Sequence, residues 1–252
     1  MEDKANSNNK DSKSVRYFSK QDTNIKEKSE DVLNRQEGII SDFKIINLIL
    51  IIRLCAVFTT AISDCDETFN YWEPTHFLLF GKGHQTWEYD PKFALRSYFY
   101  LILHGLPGYI LKLVPNIDRI FIFYFIKSML AVLCTLCEVY FYKGVSKISG
   151  VNVGQIALMF SVPSTGMYIS STAFLPSSTS MLLLMVSHGA WFRESYKTAI
   201  FATAASTFLS WPFAALLGLP IALDIVFRKR DVSMEQIKFL CLIEMLSWFS
   251  LL

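Results

Sequence analysis

Four carboxylates, Asp64, Asp66, Glu67 and Glu73, fall within ten residues, with the aromatic side chains of Phe69, Tyr71 and Trp72 interleaved among them. A carboxylate against an apolar wall loses part of its hydration, which raises its basicity and suits it to take a proton in a reaction. If Asp66 to Glu73 forms an α-helix, then Asp66, Asn70 and Glu73 share one face at i, i+4 and i+7, while Phe69 and Trp72 occupy another. A plainer reading also stands: a solvated acidic loop, or Asp64 and Glu67 stabilising a helix N-terminus. Pro74 is placed to open a second short helix, and Gly81 to close it. Further on, Gln85-Thr86-Trp87-Glu88-Tyr89-Asp90-Pro91 is again aromatic and acidic. That mixture suits a sugar, whose rings stack on aromatic faces and whose hydroxyls donate to carboxylates; it equally suits an interfacial aromatic anchor. His76 and His84 stand eight apart, and neither sits at ligand spacing from two of the acids, so no transition metal is expected.

The elements around this loop are apolar. The 252 residues are 52% hydrophobic and only 18% charged, against about 25% charged in an ordinary soluble domain. Apolar runs occur at Ile45–Ile62, Tyr98–Val114, Ile120–Tyr142, Val151–Ser171, Pro176–Trp191, Thr198–Phe227 and Ile237–Leu252. Read as helices, they give about seven membrane spans. The expected fold is therefore all-α, a polytopic membrane helix bundle, with residues 64–97 as a helical loop after the first span. Within 151–197 the Ser/Thr-rich join is read as either a connection between two spans or a re-entrant turn. Residues 1–42 are polar and nearly free of aromatics, and are expected to be a disordered tail. The chain ends at Leu252 within an apolar run, which is read as a truncation.

Lys and Arg in short flanking segments set orientation. With the tail in the cytosol, fourteen basic residues lie on that side, Lys112 and Arg119 among them, and seven on the other. The first loop is then lumenal. Residues 43–252 form the membrane domain. The net charge of +2 and the absence of a basic stripe exclude a nucleic-acid partner.

Other polar residues within the apolar runs have mostly structural readings. Arg53 lies mid-span, where an exposed charge costs about 2.5–3.5 kcal/mol, so it must face a partner inside the bundle or a polar cavity. His104 and His188 read as satisfied core histidines. Cys134 and Cys137 have CxxC spacing inside an apolar helix and read as small core residues. Trp211-Pro212 reads as a helix kink.

The stretch Asp64-Cys65-Asp66-Glu67-Thr68-Phe69-Asn70-Tyr71-Trp72-Glu73-Pro74-Thr75-His76 resembles glycosyltransferase family 22 of the GT-C class, the endoplasmic-reticulum mannosyltransferases that act on dolichol-linked oligosaccharides. The similarity continues through Gln85–Tyr89, Arg96-Ser97-Tyr98, Phe123-Tyr124-Phe125, Glu138–Lys143, Ser164–Met167, Ala173–Ser178, Trp211-Pro212-Phe213 and Gly218-Leu219-Pro220. The resemblance implies a GT-C-like bundle in the endoplasmic-reticulum membrane. It implies inverting alpha-1,2-mannosyl transfer from dolichyl phosphate mannose to a high-mannose glycan on dolichyl diphosphate, in N-glycan precursor assembly, with no cofactor. It places the catalytic acids at Asp66 and Glu67: Asp66 as the base, Glu67 orienting the acceptor or serving as the alternative base. It assigns substrate binding to Asp64, Asn70, Tyr71, Trp72, Glu73, His76, Trp87, Glu88 and Arg96. Family members are longer than this chain, so an inactive short form that binds a partner or lipid-linked glycan is an alternative. A membrane transporter is another, and would line several spans with polar residues.

Overall fold

The computed structural model describes residues 43–228. The tail 1–42 and the run Ile237–Leu252 lie outside the described residues. The chain divides into two units, Met1–Leu48 and Ile49–Leu252. In the first, residues 43–48 are described, and they are helical. The second holds everything that bears on the site. Its regular structure is helical throughout, with no strand among the described residues, as the all-α expectation requires.

Helix α1 covers residues 49–59 of the second unit. A π-helical turn, Glu67–Trp72, runs directly into α2 (Glu73–Phe80). Pro74 stands in the first turn of α2, where its missing N–H is not needed, and Gly81 ends it in the left-handed conformation at φ 69°. Next come α3 (Phe99–Lys112), α4 (Arg119–Ser149), α5 (Val151–Ser161), α6 (Thr165–Ser170), α7 (Pro176–Phe192) and α8 (Tyr196–Leu209). A 3-10 turn at Pro212–Gly218 and α9 (Leu219–Arg228) complete the described chain.

Three sequence expectations change. Helix α4 has 31 residues, about 46 Å, and is the one helix among the described residues long and apolar enough to cross a membrane unaided. The run Val151–Ser171 is not one helix. Pro163 lacks the N–H that a continuous helix needs, and α5 gives way to α6 there. The run Thr198–Phe227 is likewise broken at Ser210-Trp211-Pro212.

The third change concerns Tyr98–Val114. Helix α3 has 14 residues, about 21 Å. Both its ends meet the first loop. Tyr100, near its start, packs edge-on against Tyr71 at 5.5 Å. Lys112, at its end, donates from Nζ to the Leu79 carbonyl at 2.5 Å and lies over the Phe80 ring. Arg119 lies over the same ring, 5.0 Å from its centre. Lys112 and Arg119 therefore sit beside the first loop, not on the opposite side as their place in the sequence suggested. Gly105 makes this packing possible: a Cβ there would stand 3.2 Å from the Thr75 side chain of α2.

The interior is held by three kinds of contact. Helices α4 and α7 approach so closely at Gly144 and Gly189 that a Cβ on Gly144 would lie 2.7 Å from the Gly189 carbonyl oxygen. Helices α7 and α8 are tied by hydroxyls, Ser180 to Ser206 at 2.8 Å and Ser187 to Thr203 at 2.7 Å. Under the first loop, Phe174 is completely buried among Tyr71, Trp72, Tyr100 and His104.

Candidate active site

The loop opens on Asp64, which caps the turn after it. Its carboxylate accepts the Asp66 N–H at 2.8 Å, and its carbonyl accepts from the Thr68 N–H at 3.2 Å and the Thr68 hydroxyl at 3.1 Å. This bears out the capping reading for Asp64. Asp66 and Glu67 then turn opposite ways. Asp66 is exposed, while Glu67 keeps only 6% of its surface. The expected desolvation of the acids thus falls on Glu67 and not on Asp66.

The expected α-helical face is altered by the π turn. An i→i+5 turn stacks residues five apart, which 3.6 residues per turn would not. Trp72 Nε1 accordingly donates to Glu67 Oε1 at 3.0 Å, and the Phe174 N–H donates to the same oxygen at 2.9 Å. Trp72 is a core side chain with its ring against Phe123 and Phe174. Asp66 and Asn70 remain paired, as their spacing suggested: Asn70 Nδ2 donates to Asp66 Oδ1 at 3.1 Å. Asn70 is held in turn by the Thr86 hydroxyl on its Oδ1 at 3.0 Å and by the Tyr89 hydroxyl on its carbonyl at 2.7 Å. Glu73 has left that face. Its Oε2 accepts the His84 N–H at 3.1 Å, and His76 Nδ1 donates to the Lys82 carbonyl at 2.6 Å, folding the turn after α2 back on itself.

Beyond Asn70 a polar cleft of about 720 Å³ opens. Tyr71, Glu88, Tyr89 and Arg96 form one wall; Ser210, Trp211 and Pro212, at the break after α8, form the other. Arg96 is the cation in this lining. It donates from Nε to Glu88 and from Nη1 to the Tyr71 hydroxyl, and its guanidinium lies over the Tyr71 ring at 5.3 Å. Burial works against its charge, but the Glu88 hydrogen bond and the surrounding charges outweigh burial and raise its pKa. Burial also raises the Tyr71 and Tyr89 phenols, against the opposing pull of Arg96, so both stay protonated donors. The Ser210 hydroxyl is buried without a hydrogen-bond partner.

The nominated residues do not all converge. Tyr71, Glu88 and Arg96 line the cleft, with Asp66 and Asn70 linked to it through Tyr89. Trp72, Glu73 and His76 line a separate cavity of about 260 Å³ that also contains Arg119. Trp87 is exposed and packs edge-on against Phe93, lining neither space. The far wall was not nominated from sequence: Trp211-Pro212 signalled a break, and only the fold places that break opposite Arg96.

Residues 44–252 match the Alg9-like mannosyltransferase family. The mouse protein Alpha-1,2-mannosyltransferase ALG9 is 50% identical over 177 residues, 70% of this chain and 29% of that one. The fruit-fly protein Alpha-1,2-mannosyltransferase Alg9 is 42% identical over 235 residues, 90% of this chain and 37% of that one. The human protein is 49% identical over 177 residues, again 29% of its length. The chain thus spans about a third of the length of these relatives. No solved structure matches it. The matched region contains the whole first loop and both walls of the cleft, and the chain belongs to the Alg9-like mannosyltransferase family.

Proposed function

We propose that this chain carries the catalytic loop of an inverting alpha-1,2-mannosyltransferase that moves mannose from dolichyl phosphate mannose to a high-mannose glycan on dolichyl diphosphate. The observation that carries the reading is the pairing of an exposed, braced carboxylate, Asp66, with an adjacent cleft whose cation is Arg96. Asp66 takes the proton from the acceptor 2-hydroxyl. The oxygen attacks the anomeric carbon, the bond from that carbon to the phosphate oxygen breaks, and the dolichyl phosphate leaves from the opposite face. Asn70 holds the carboxylate in place. Arg96 meets the donor phosphate, which carboxylates cannot hold, while the Tyr71 hydroxyl offers a donor and the Trp211 ring a stacking face for sugar.

The same reading sets the chain in the endoplasmic-reticulum membrane with the first loop lumenal and extended through Arg119. Large apolar side chains face outward on several helices, among them Phe58, Ile120, Phe160, Phe201 and Phe227. Crossings at α1, α4, α5–α6, α7, α8 and Pro212–Arg228 return Phe174 and Trp211 to the loop's side, where they touch it. They send the Lys147–Arg193 contact and the Trp191–Asp224 hydrogen bond to the other side. Sixteen of the 24 Lys and Arg then fall on the cytosolic side and five on the lumenal side, a stronger bias than fourteen against seven.

The test is transfer of labelled mannose from dolichyl phosphate mannose to a dolichyl-diphosphate glycan. It compares this chain alone with a chimera in which residues 44–252 replace the corresponding segment of the fruit-fly relative. Transfer by the chimera, lost with Asp66→Asn, is the expected result. Transfer that survives Asp66→Asn rules Asp66 out as the base.

A further inference from the structure

We propose that Glu67 is a positioning residue, which fixes the turn presenting Asp66 and does not touch substrate; the proposal rests on the assignment of Asp66 as the base. Adjacent acids at the head of the loop look interchangeable in the sequence, but their surroundings differ completely. Asp66 faces solvent, and Glu67 is enclosed. One oxygen of Glu67, Oε1, accepts both the Trp72 indole N–H and the Phe174 backbone N–H. The first bond closes the π turn on itself. The second fastens that turn to the connection between α6 and α7, 107 positions later in the chain. Phe174 is fully buried, and Glu67 is the acceptor that satisfies its N–H. Two donors therefore hold Glu67, Asn70 braces Asp66, and the backbone between the two acids is tied on both sides.

The chemistry of the two donors distinguishes positioning from catalysis. Both bonds end on one oxygen, and a carboxamide oxygen accepts two hydrogen bonds as a carboxylate oxygen does. A carboxamide cannot act as a base. Glutamine should therefore replace Glu67 in its positioning role, and alanine should not. A misplacement of about 1 Å at a reacting group costs about 10²-fold in rate, so the loss should fall on kcat while KM values for donor and acceptor hold.

The experiment measures kcat, KM and the pH profile of mannosyl transfer in the chimera for Glu67→Ala, Glu67→Gln and Asp66→Asn. Hydrogen exchange of the Phe174 amide is followed in each. The expected result is a fall in kcat of about 10²-fold in Glu67→Ala with the amide deprotected, and recovery to within about tenfold in Glu67→Gln, with the amide protected and the pH profile unchanged. Asp66→Asn should lose transfer while the Phe174 amide stays protected. Glu67→Gln as inactive as Asp66→Asn, with the amide still protected, would overturn the proposal and make Glu67 a reacting group. A Phe174 amide that exchanges freely in the unmodified chimera would overturn it by removing the bond. No transfer by the unmodified chimera would sink the transfer reading and the positioning role with it, whereas the amide data would still report whether Glu67 makes the tie.

Discussion

Arg53 on α1 and Glu138 on α4, 85 positions apart, meet in a two-pronged ion pair with N–O distances of 3.0–3.1 Å and side chains 0% and 2% exposed. The pair is closed by a third partner: the Ser161 hydroxyl donates to Glu138 Oε1 at 2.6 Å. The Arg53 guanidinium also reaches the Ser161 and Val162 carbonyls at 3.4 and 3.5 Å. Those carbonyls end α5 at the Pro163 break; the Ser161 carbonyl also accepts the Ser164 N–H at 3.2 Å, and the guanidinium adds a cation at this helix C-terminus, where positive charge is favoured. Removing one partner strands the other charge in the interior, a cost of about 3–5 kcal/mol. Glu138→Ala and Arg53→Ala should each lower the thermal midpoint in detergent, and the Arg53→Met/Glu138→Met double variant should recover much of the loss. Two single losses that simply add in the double variant would show that the charges are not coupled.

For the proposed reaction, Asp66→Asn removes the proposed base and should lower kcat by about 10²–10⁴-fold. Asn70→Leu removes the hydrogen bond that braces Asp66 together with the Asn70 contact to Thr86. It should reduce kcat by a smaller factor and leave folding intact, as judged by an unchanged elution profile in detergent. Equal activity in Asn70→Leu and the parent would show that the brace is idle.

Arg96→Gln should raise the KM for the phosphate-bearing donor by about 10-fold or more, since charge-assisted hydrogen bonds contribute about 1.5–3 kcal/mol. The KM for the acceptor should move little. Arg96→Lys should not rescue the defect, because a single ammonium cannot satisfy Glu88 and Tyr71 together with a phosphate. Equal shifts in both KM values would place Arg96 in the scaffold.

The position of Lys112 and Arg119 against Phe80 makes a topological prediction. The sequence Asn116-Ile117-Asp118 becomes a glycosylation acceptor with Asp118→Thr, and Arg193-Glu194-Ser195 becomes one with Arg193→Asn. In microsomes the first should acquire a glycan removable by endoglycosidase, and the second should not. A glycan on the second variant alone would reverse the orientation; no glycan on the first, with an epitope inserted at 118 accessible only from the cytosolic side, would restore α3 as a crossing.

Much of this was legible in the sequence because the governing rule is local. Pro74 and Gly81 bound α2 where their backbone restrictions demand, and a lone arginine in an apolar run had to find a partner. Its identity was not legible, because Glu138 comes near only after α4 packs on α1. Hydropathy also marked Tyr98–Val114 without showing that both its ends pack on the first loop. An interfacial helix and a spanning helix share composition, and composition carries no sign of the contact between Lys112 and Leu79. The π turn escaped as well. Spacing of three and four predicts α-helical faces, whereas the turn at Glu67–Trp72 is stabilised by a residue in a distant connection. The sequence therefore named Asp66 and Asn70 as partners and could not tell Asp66 from Glu67.

The two walls of the polar cleft come from far apart in the chain: Arg96 on one side, Trp211 on the other, 115 residues later. At about 5–20 residues per second of synthesis, the second wall emerges roughly 6–23 s after the first. During that interval the loop carrying Asp66 has its local hydrogen-bond partners but not the wall opposite it. The cleft thus becomes two-sided only with the break after α8, so the order in which the ribosome delivers these segments also sets the moment at which a newborn chain can close it.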